Sequence, residues 1–157
     1  MKKLIFGALL ALMCACTAHN NSTNSATTDA QTIPYKVAKG YFVRNDIDRL
    51  TDNKITTKES LDASFGMATV MGVDGRPDDI DFGKEYVIAV DVPTTDYSTE
   101  IVPVSLTRNA SKDADIVFTY KVIRGDKQSY SIHPLLMLVV DKQYDGKVVC
   151  RSESDGK

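Results

Sequence analysis

Hydrophobic residues follow successive patterns along the chain, and each predicts a different kind of structure. An apolar run from Leu4 to Met13 follows Met1-Lys2-Lys3, and it is succeeded from Thr17 to Thr32 by Asn, Ser and Thr without one large apolar residue. Such a stretch cannot bury enough surface to fold, so it reads as a flexible tether. From Ile33 to Val43 apolar and polar positions partly alternate, as an early strand requires. Between Thr56 and Gly66 the spacing becomes helical. Thr56 with Glu59 makes a capping box, Leu61 and Phe65 share a face, and Gly66 is suited to the terminating left-handed position.

Beyond the turn-rich group Asp74-Gly75-Arg76-Pro77 the pattern predicts strands over Tyr86 to Val92, Tyr97 to Thr107, Asp115 to Arg124, Ser129 to Asp141 and Lys147 to Arg151. The breaks carry Pro93, Asn109, Gly125 and Gly146. Ile116, Phe118, Tyr120 and Val122 fall on one face of a half-buried strand, whereas Leu135 to Val140 is apolar on both faces and predicts a central strand. The expected fold is therefore mainly β (α+β): an antiparallel sheet, sandwich or barrel-like domain with one short α-helix, occupying residues 33–157 as a single domain.

The first residues carry an address. A short cationic start, an apolar stretch of about a dozen residues and a small residue before the cleavage point fit a secretory signal too short to span a bilayer. The segment Leu12-Met13-Cys14-Ala15-Cys16 resembles the bacterial lipoprotein lipobox, with Ala15 as the small residue before the acylated Cys16. That resemblance implies a signal peptide over 1–15, lipidation with palmitate-type acyl chains at Cys16 and a tether over 16–32. Each buried methylene contributes about 0.8 kcal/mol, so two or more chains anchor stably where one is marginal. An unfolded tether of this length reaches roughly 20 Å. No acidic cluster follows Cys16, and by resemblance to lipoproteins of Bacteroidetes type this favours attachment to the outer membrane facing the periplasm.

Charge and cysteine usage narrow the function. Loss of Lys2 and Lys3 from the 19 basic residues leaves 17 against 21 acidic ones, a net charge near −4. No basic stripe offers itself to nucleic acid, which needs clustered cations to displace counterions. With Cys14 removed and Cys16 acylated, Cys150 has no disulfide partner and reads as a small buried hydrophobe. About 125 residues suffice for a core without cross-links.

Candidate chemistry is sparse. His19 lies in the tether, and His133 beside Pro134 is the sole candidate base, without a Gly-x-Ser-x-Gly elbow or a reactive-cysteine context. Asp74, Asp78, Asp79 and Asp81 could offer oxygen ligands to a hard cation, but their spacing departs from that of an EF-hand and Asp is common in turns. No catalytic residue, metal or cofactor is therefore expected. Pro93-Thr94-Thr95-Asp96-Tyr97 sits between two strong strand signals, where a loop would project from a rigid sheet as a binding element.

Ile80-Asp81-Phe82, then Tyr86-Val87-Ile88-Ala89-Val90, then Pro93-Thr94-Thr95-Asp96-Tyr97 with Glu100-Ile101, together resemble the carboxy-terminal domain of PrcB-type protease-complex subunits. The loop is also similar, distantly, to that of chagasin-type cysteine-protease inhibitors, with Val92 replacing its Asn and Asp96 its Gly. The resemblance spans residues 78–141. It implies a non-enzymatic domain that binds or stabilises a protease or other envelope protein through Pro93, Thr94, Thr95, Asp96 and Tyr97. The alternatives are a small-ligand or catalytic protein centred on His133 with Asp78, Asp79 and Asp81, and an envelope-structural lipoprotein.

Overall fold

The structure, a computed structural model, describes residues 30–69, 75–108 and 115–153. The signal peptide, Cys16, His19 and the tether up to residue 29 lie outside the described residues, as does Asp74. The strands are β1 (Gln31–Thr32), β2 (Lys36–Val37), β3 (Tyr41–Val43), β4 (Lys54–Ile55), β5 (Phe65–Met67), β6 (Glu85–Asp91), β7 (Thr95–Arg108), β8 (Ile116–Ile132), β9 (Leu135–Asp141) and β10 (Val148–Glu153). One helix, α1 (Lys58–Ser64), and a 3-10 turn at Lys142–Tyr144 complete the described elements. The chain is mainly β, as the hydrophobic pattern predicts, and among the described residues there is one short helix and no barrel closes.

Three layers result. One sheet has the order β1-β7-β8-β10 and the second β2-β9-β6-β4, while β3 and β5 form a separate pair. Tyr86, Ile88 and Val90 of β6 and Leu136, Leu138 and Val140 of β9 face Ile101, Leu106, Ile116 and Phe118 of the first sheet. The opposite face of the same two strands, with Val87, Ala89, Met137 and Val139, packs on Val43, Ile55, Leu61 and Phe65 from the β3–β5 pair, β4 and α1. The second sheet is thus covered on both sides. This accounts for the doubly apolar run Leu135–Val140, because a strand buried on both faces has no polar face to alternate with.

Several local expectations are corrected. Thr57, not Thr56, caps the helix: its backbone is extended and its hydroxyl accepts from Ser60 N at 3.2 Å, leaving Glu59 in the first turn near the positive helix end. Gly66 does not end the helix in a left-handed conformation but lies in β5 opposite Phe42, whose ring would stand 2.3 Å from an added Cβ. The strand expected over 33–43 is split by Gly40, whose φ of 79° breaks the extended run and sends β2 and β3 to different sheets. Gln31 and Thr32, assigned to the tether, pair with Arg108 and Thr107.

The first sheet holds the largest departure. Gly125 does not break the chain, and β8 runs without interruption from Ile116 to Ile132, antiparallel to β7. Three register shifts along this ribbon absorb the irregularities. The strand β10 returns parallel to β8, so the sheets are not wholly antiparallel.

Candidate functional site

The connection from β6 to β7 is shorter than expected. Only Val92, Pro93 and Thr94 are outside strands, with Pro93 and Thr94 exposed, whereas Thr95, Asp96 and Tyr97 already belong to β7 and are half-buried. Thr95 Oγ1 accepts from Tyr97 N at 3.2 Å. The carboxylate of Asp96 pairs with Lys127 at 3.0 Å, and the Arg124 guanidinium lies over the Tyr97 ring, 4.4 Å from its centroid. The expected binding residues are therefore part of a two-stranded ribbon rather than a free loop.

The ribbon is distorted at this point. Thr95 pairs with Ile132 and Tyr97 with Lys127, so Asp96 alone opposes the four β8 residues 128–131. Tyr130, within that extruded stretch, is 59% exposed, and Ile123 nearby is 51% exposed. A bulge of this kind bends the strand and re-aims side chains. Between the Val92–Thr95 segment on one side and Thr99, Val122 and Arg124 on the other lies a cleft of about 250 Å³.

A buried hydrogen-bonded pair adjoins the β6–β7 connection. Asp91, the last residue of β6, is the one buried charged residue among the described residues. Its Oδ2 lies 2.8 Å from His133 Nε2 and also accepts from Leu50 N at 3.3 Å. Beside it Val92 N donates to Pro134 O at 3.2 Å. A buried carboxylate needs such partners, since an unpaired charge away from water is strongly unfavourable. The pair ties together three segments: the end of β6, the 44–53 connection and the β8–β9 turn.

His133 therefore has a hydrogen-bonded ring, and its acidic neighbour is one that sequence reasoning did not single out. Asp78, Asp79 and Asp81 precede β6, while Asp91 ends it; six residue steps of strand separate the two ends by about 20 Å. Among the described residues His133 hydrogen-bonds Asp91 and none of Asp78, Asp79 and Asp81. Asp78 and Asp81 accept from backbone amides instead. Asp78 Oδ2 accepts from Lys39 N at 2.8 Å, and Asp81 Oδ1 accepts from Gly83 N at 2.9 Å. The Gly83 amide, and next Lys84, hold the Asp81 carboxyl below its ordinary range. Among the described residues no group of three or more His, Cys, Asp or Glu side chains converges on a common point.

Cys150 packs against the core between the sheets, and burial pushes its thiol up to about 11. It is protonated at neutral pH and poorly suited to nucleophilic attack. Arg124, Lys127 and Tyr130 were not expected at the candidate site. The residues expected there lie about thirty positions earlier in the chain, and Gly125 reads as a break rather than as part of a strand. Asp91 did carry a signal, as an acid closing the apolar run Tyr86–Val90 immediately before Val-Pro.

Among the described residues no helix is long and apolar enough to cross a membrane. No protein-family model matches the chain, and neither a curated protein nor a solved structure matches it significantly, so these comparisons identify neither a PrcB-type nor a chagasin-like domain.

Proposed function

We propose that this chain is a lipid-anchored protein of the bacterial envelope whose β-rich domain binds a protein partner and catalyses no reaction. Pro93, Thr94, Thr95, Asp96 and Tyr97 form the contact surface together with the facing part of β8. The observation that carries this reading is the exposed Pro93–Thr94 segment at the rim of a cleft, mounted on a bulged ribbon and following directly on Asp91, which is hydrogen-bonded to His133. Rigidly mounted connections with exposed tips are the usual form of a binding element. The N-terminal lipobox-like pattern supports attachment through Cys16 to the outer membrane, facing the periplasm. The loop resemblance supports a protease, or another envelope protein, as the partner.

The test is cross-linking in the native envelope followed by mass spectrometry, with Thr94, Thr95 and Tyr97 exchanged for Ala. A recurrent partner lost in the triple variant is the expected result, and loss of more than about 1 kcal/mol of binding is expected if Tyr97 anchors the interface. Undiminished cross-linking would remove these residues from the surface.

A second reading, a small-ligand or catalytic protein, is favoured by one observation: the buried carboxylate on His133 is an arrangement that also orients imidazole bases. No hydroxyl or thiol hydrogen-bonds to His133 among the described residues, which leaves the pair as a brace. Turnover of any substrate that disappears in His133→Ala would support this reading over the first.

A further inference from the structure

The cleft beside Tyr97 has an unusual charge arrangement. Around it Lys127 is paired with Asp96 at 3.0 Å and Lys121 with Glu153 at 3.1 Å, but Arg124 has no carboxylate within salt-bridge reach among the described residues. Its guanidinium rests on the Tyr97 ring, and its nearest side-chain hydrogen-bond partner is Thr95 Oγ1 at 3.5 Å. Stacking on an aromatic face restrains the planar fork while leaving its edge N–H groups free, and that edge matches a carboxylate. The cleft is otherwise uncharged, with Val92, Pro93 and Val122 as apolar wall and threonine hydroxyls along the rim. Its volume of about 250 Å³ suits a side chain rather than a folded surface.

A second feature says what kind of segment would bring that side chain. Within its sheet β7 lies between β1 and β8, but β1 pairs only with Thr107 and Arg108, and Ile33 N adds a bond to Leu106 O. From Thr95 to Ser105, β7 therefore has one strand neighbour among the described residues, and its other edge presents main-chain donors and acceptors. An extended backbone is the natural complement of such an edge. Pro103 and the bulge between Pro103 and Ser105 interrupt it, which confines the usable edge to the part nearest the cleft.

We infer that this surface takes a short, extended, acidic segment of a protein partner, with one Asp or Glu carboxylate on Arg124 and the segment's backbone along the start of β7. The inference rests on the binding reading above and adds the chemistry of what is bound. Arg124 is the specificity-determining residue: it distinguishes a carboxylate from the isosteric amide, which cannot accept a charged fork on two equivalent oxygens.

The test uses the full-length protein in mild detergent and two pools of fluorescein-labelled, end-capped heptapeptides, randomised except for a central Glu in one and a central Gln in the other. Fluorescence anisotropy should show the Glu pool binding about tenfold more tightly, the loss expected for one charge-assisted contact. The preference should vanish in Arg124→Gln and survive in part in Arg124→Lys, with unchanged melting of both variants as the control for folding. Amide shifts on adding the Glu pool should centre on Thr95, Thr99 and Val122. Equal binding of the two pools, no binding of either, or a Glu preference that persists in Arg124→Gln would overturn the inference. Native cross-links lost in the Thr94, Thr95 and Tyr97 variant but intact in Arg124→Gln would also overturn it, while leaving the binding surface itself in place.

Discussion

The strands β9 and β8 belong to the same sandwich and do different work. Of the seven residues of β9, Leu136 to Val140 are buried, facing the first sheet on one side and the helix and β3–β5 pair on the other. The seventeen residues of β8 begin the same way at Ile116 to Phe118, but from Ile123 onward nearly every side chain is exposed. Stability is concentrated where two apolar faces are covered, and the partly covered ribbon is free to carry bulges, charges and exposed aromatic groups. Elements that bind other molecules are commonly drawn from such lightly buried parts of a fold.

The contrast is tested most strongly by truncating one apolar side chain in each region. Leu138→Ala, at a fully buried central position, is expected to cost about 2–5 kcal/mol in chemical denaturation, whereas Ile123→Ala should stay within about 0.5 kcal/mol. Similar losses at both sites would mean that the ribbon is as firmly packed as the central sheet.

The boundary between the regions is the Asp91–His133 brace, and His133→Ala should reveal how firmly it joins them. That change leaves a buried carboxylate with only the Leu50 amide, for an expected loss of about 3 kcal/mol, and it should also weaken partner binding by releasing the Val92–Thr94 connection. Unaltered stability with unaltered binding would make the pair incidental.

Alkaline pH acts on the most deeply buried thiol and phenol. Burial raises the Cys150 thiol from 9.0 to about 11, and burial, with Asp145 second, raises the Tyr86 hydroxyl from 10.0 to about 12. Both groups hold their protons more tightly when folded, so their contribution is complete below the unfolded values. It is lost as pH rises from 9 to about 11 for the thiol, and from 10 to about 12 for the phenol. The unfolding free energy from denaturant titrations should fall above pH 9 by up to about 1.4 kcal/mol per pH unit for each group, less where water reaches it. Cys150→Val should flatten the first part of that fall.

The smallest effect is expected on the ribbon surface. Asp96→Ala, which opens the exposed pair with Lys127, should change stability by about 0.2–1 kcal/mol, and less in high salt. A larger loss would show that this pair holds the bulged register.

What could be read from the residues follows from the range of each interaction. Period-two alternation at Ile116 to Val122 and the doubly apolar Leu135 to Val140 are local signals, and both strands form where the pattern places them. The helix cap is also local, though neighbouring threonines moved it by one residue. Gly125 was misleading because a glycine disfavours a strand only mildly, while pairing with β7 supplies hydrogen bonds on both sides of it. The site was less accessible still. Asp91 meets His133 across 42 residues, and Arg124 meets Tyr97 across 27, through strand pairing that no local pattern encodes.

By itself, then, the sequence determined a β-rich domain with one short helix and a doubly buried strand, because burial is written in the alternation of apolar positions. Only the tertiary structure decided that β8 runs on past Gly125, that the second sheet lies between two other layers and that Asp91 pairs with His133. Those outcomes depend on which strands become neighbours, and that choice is made by the packing of distant segments against one another.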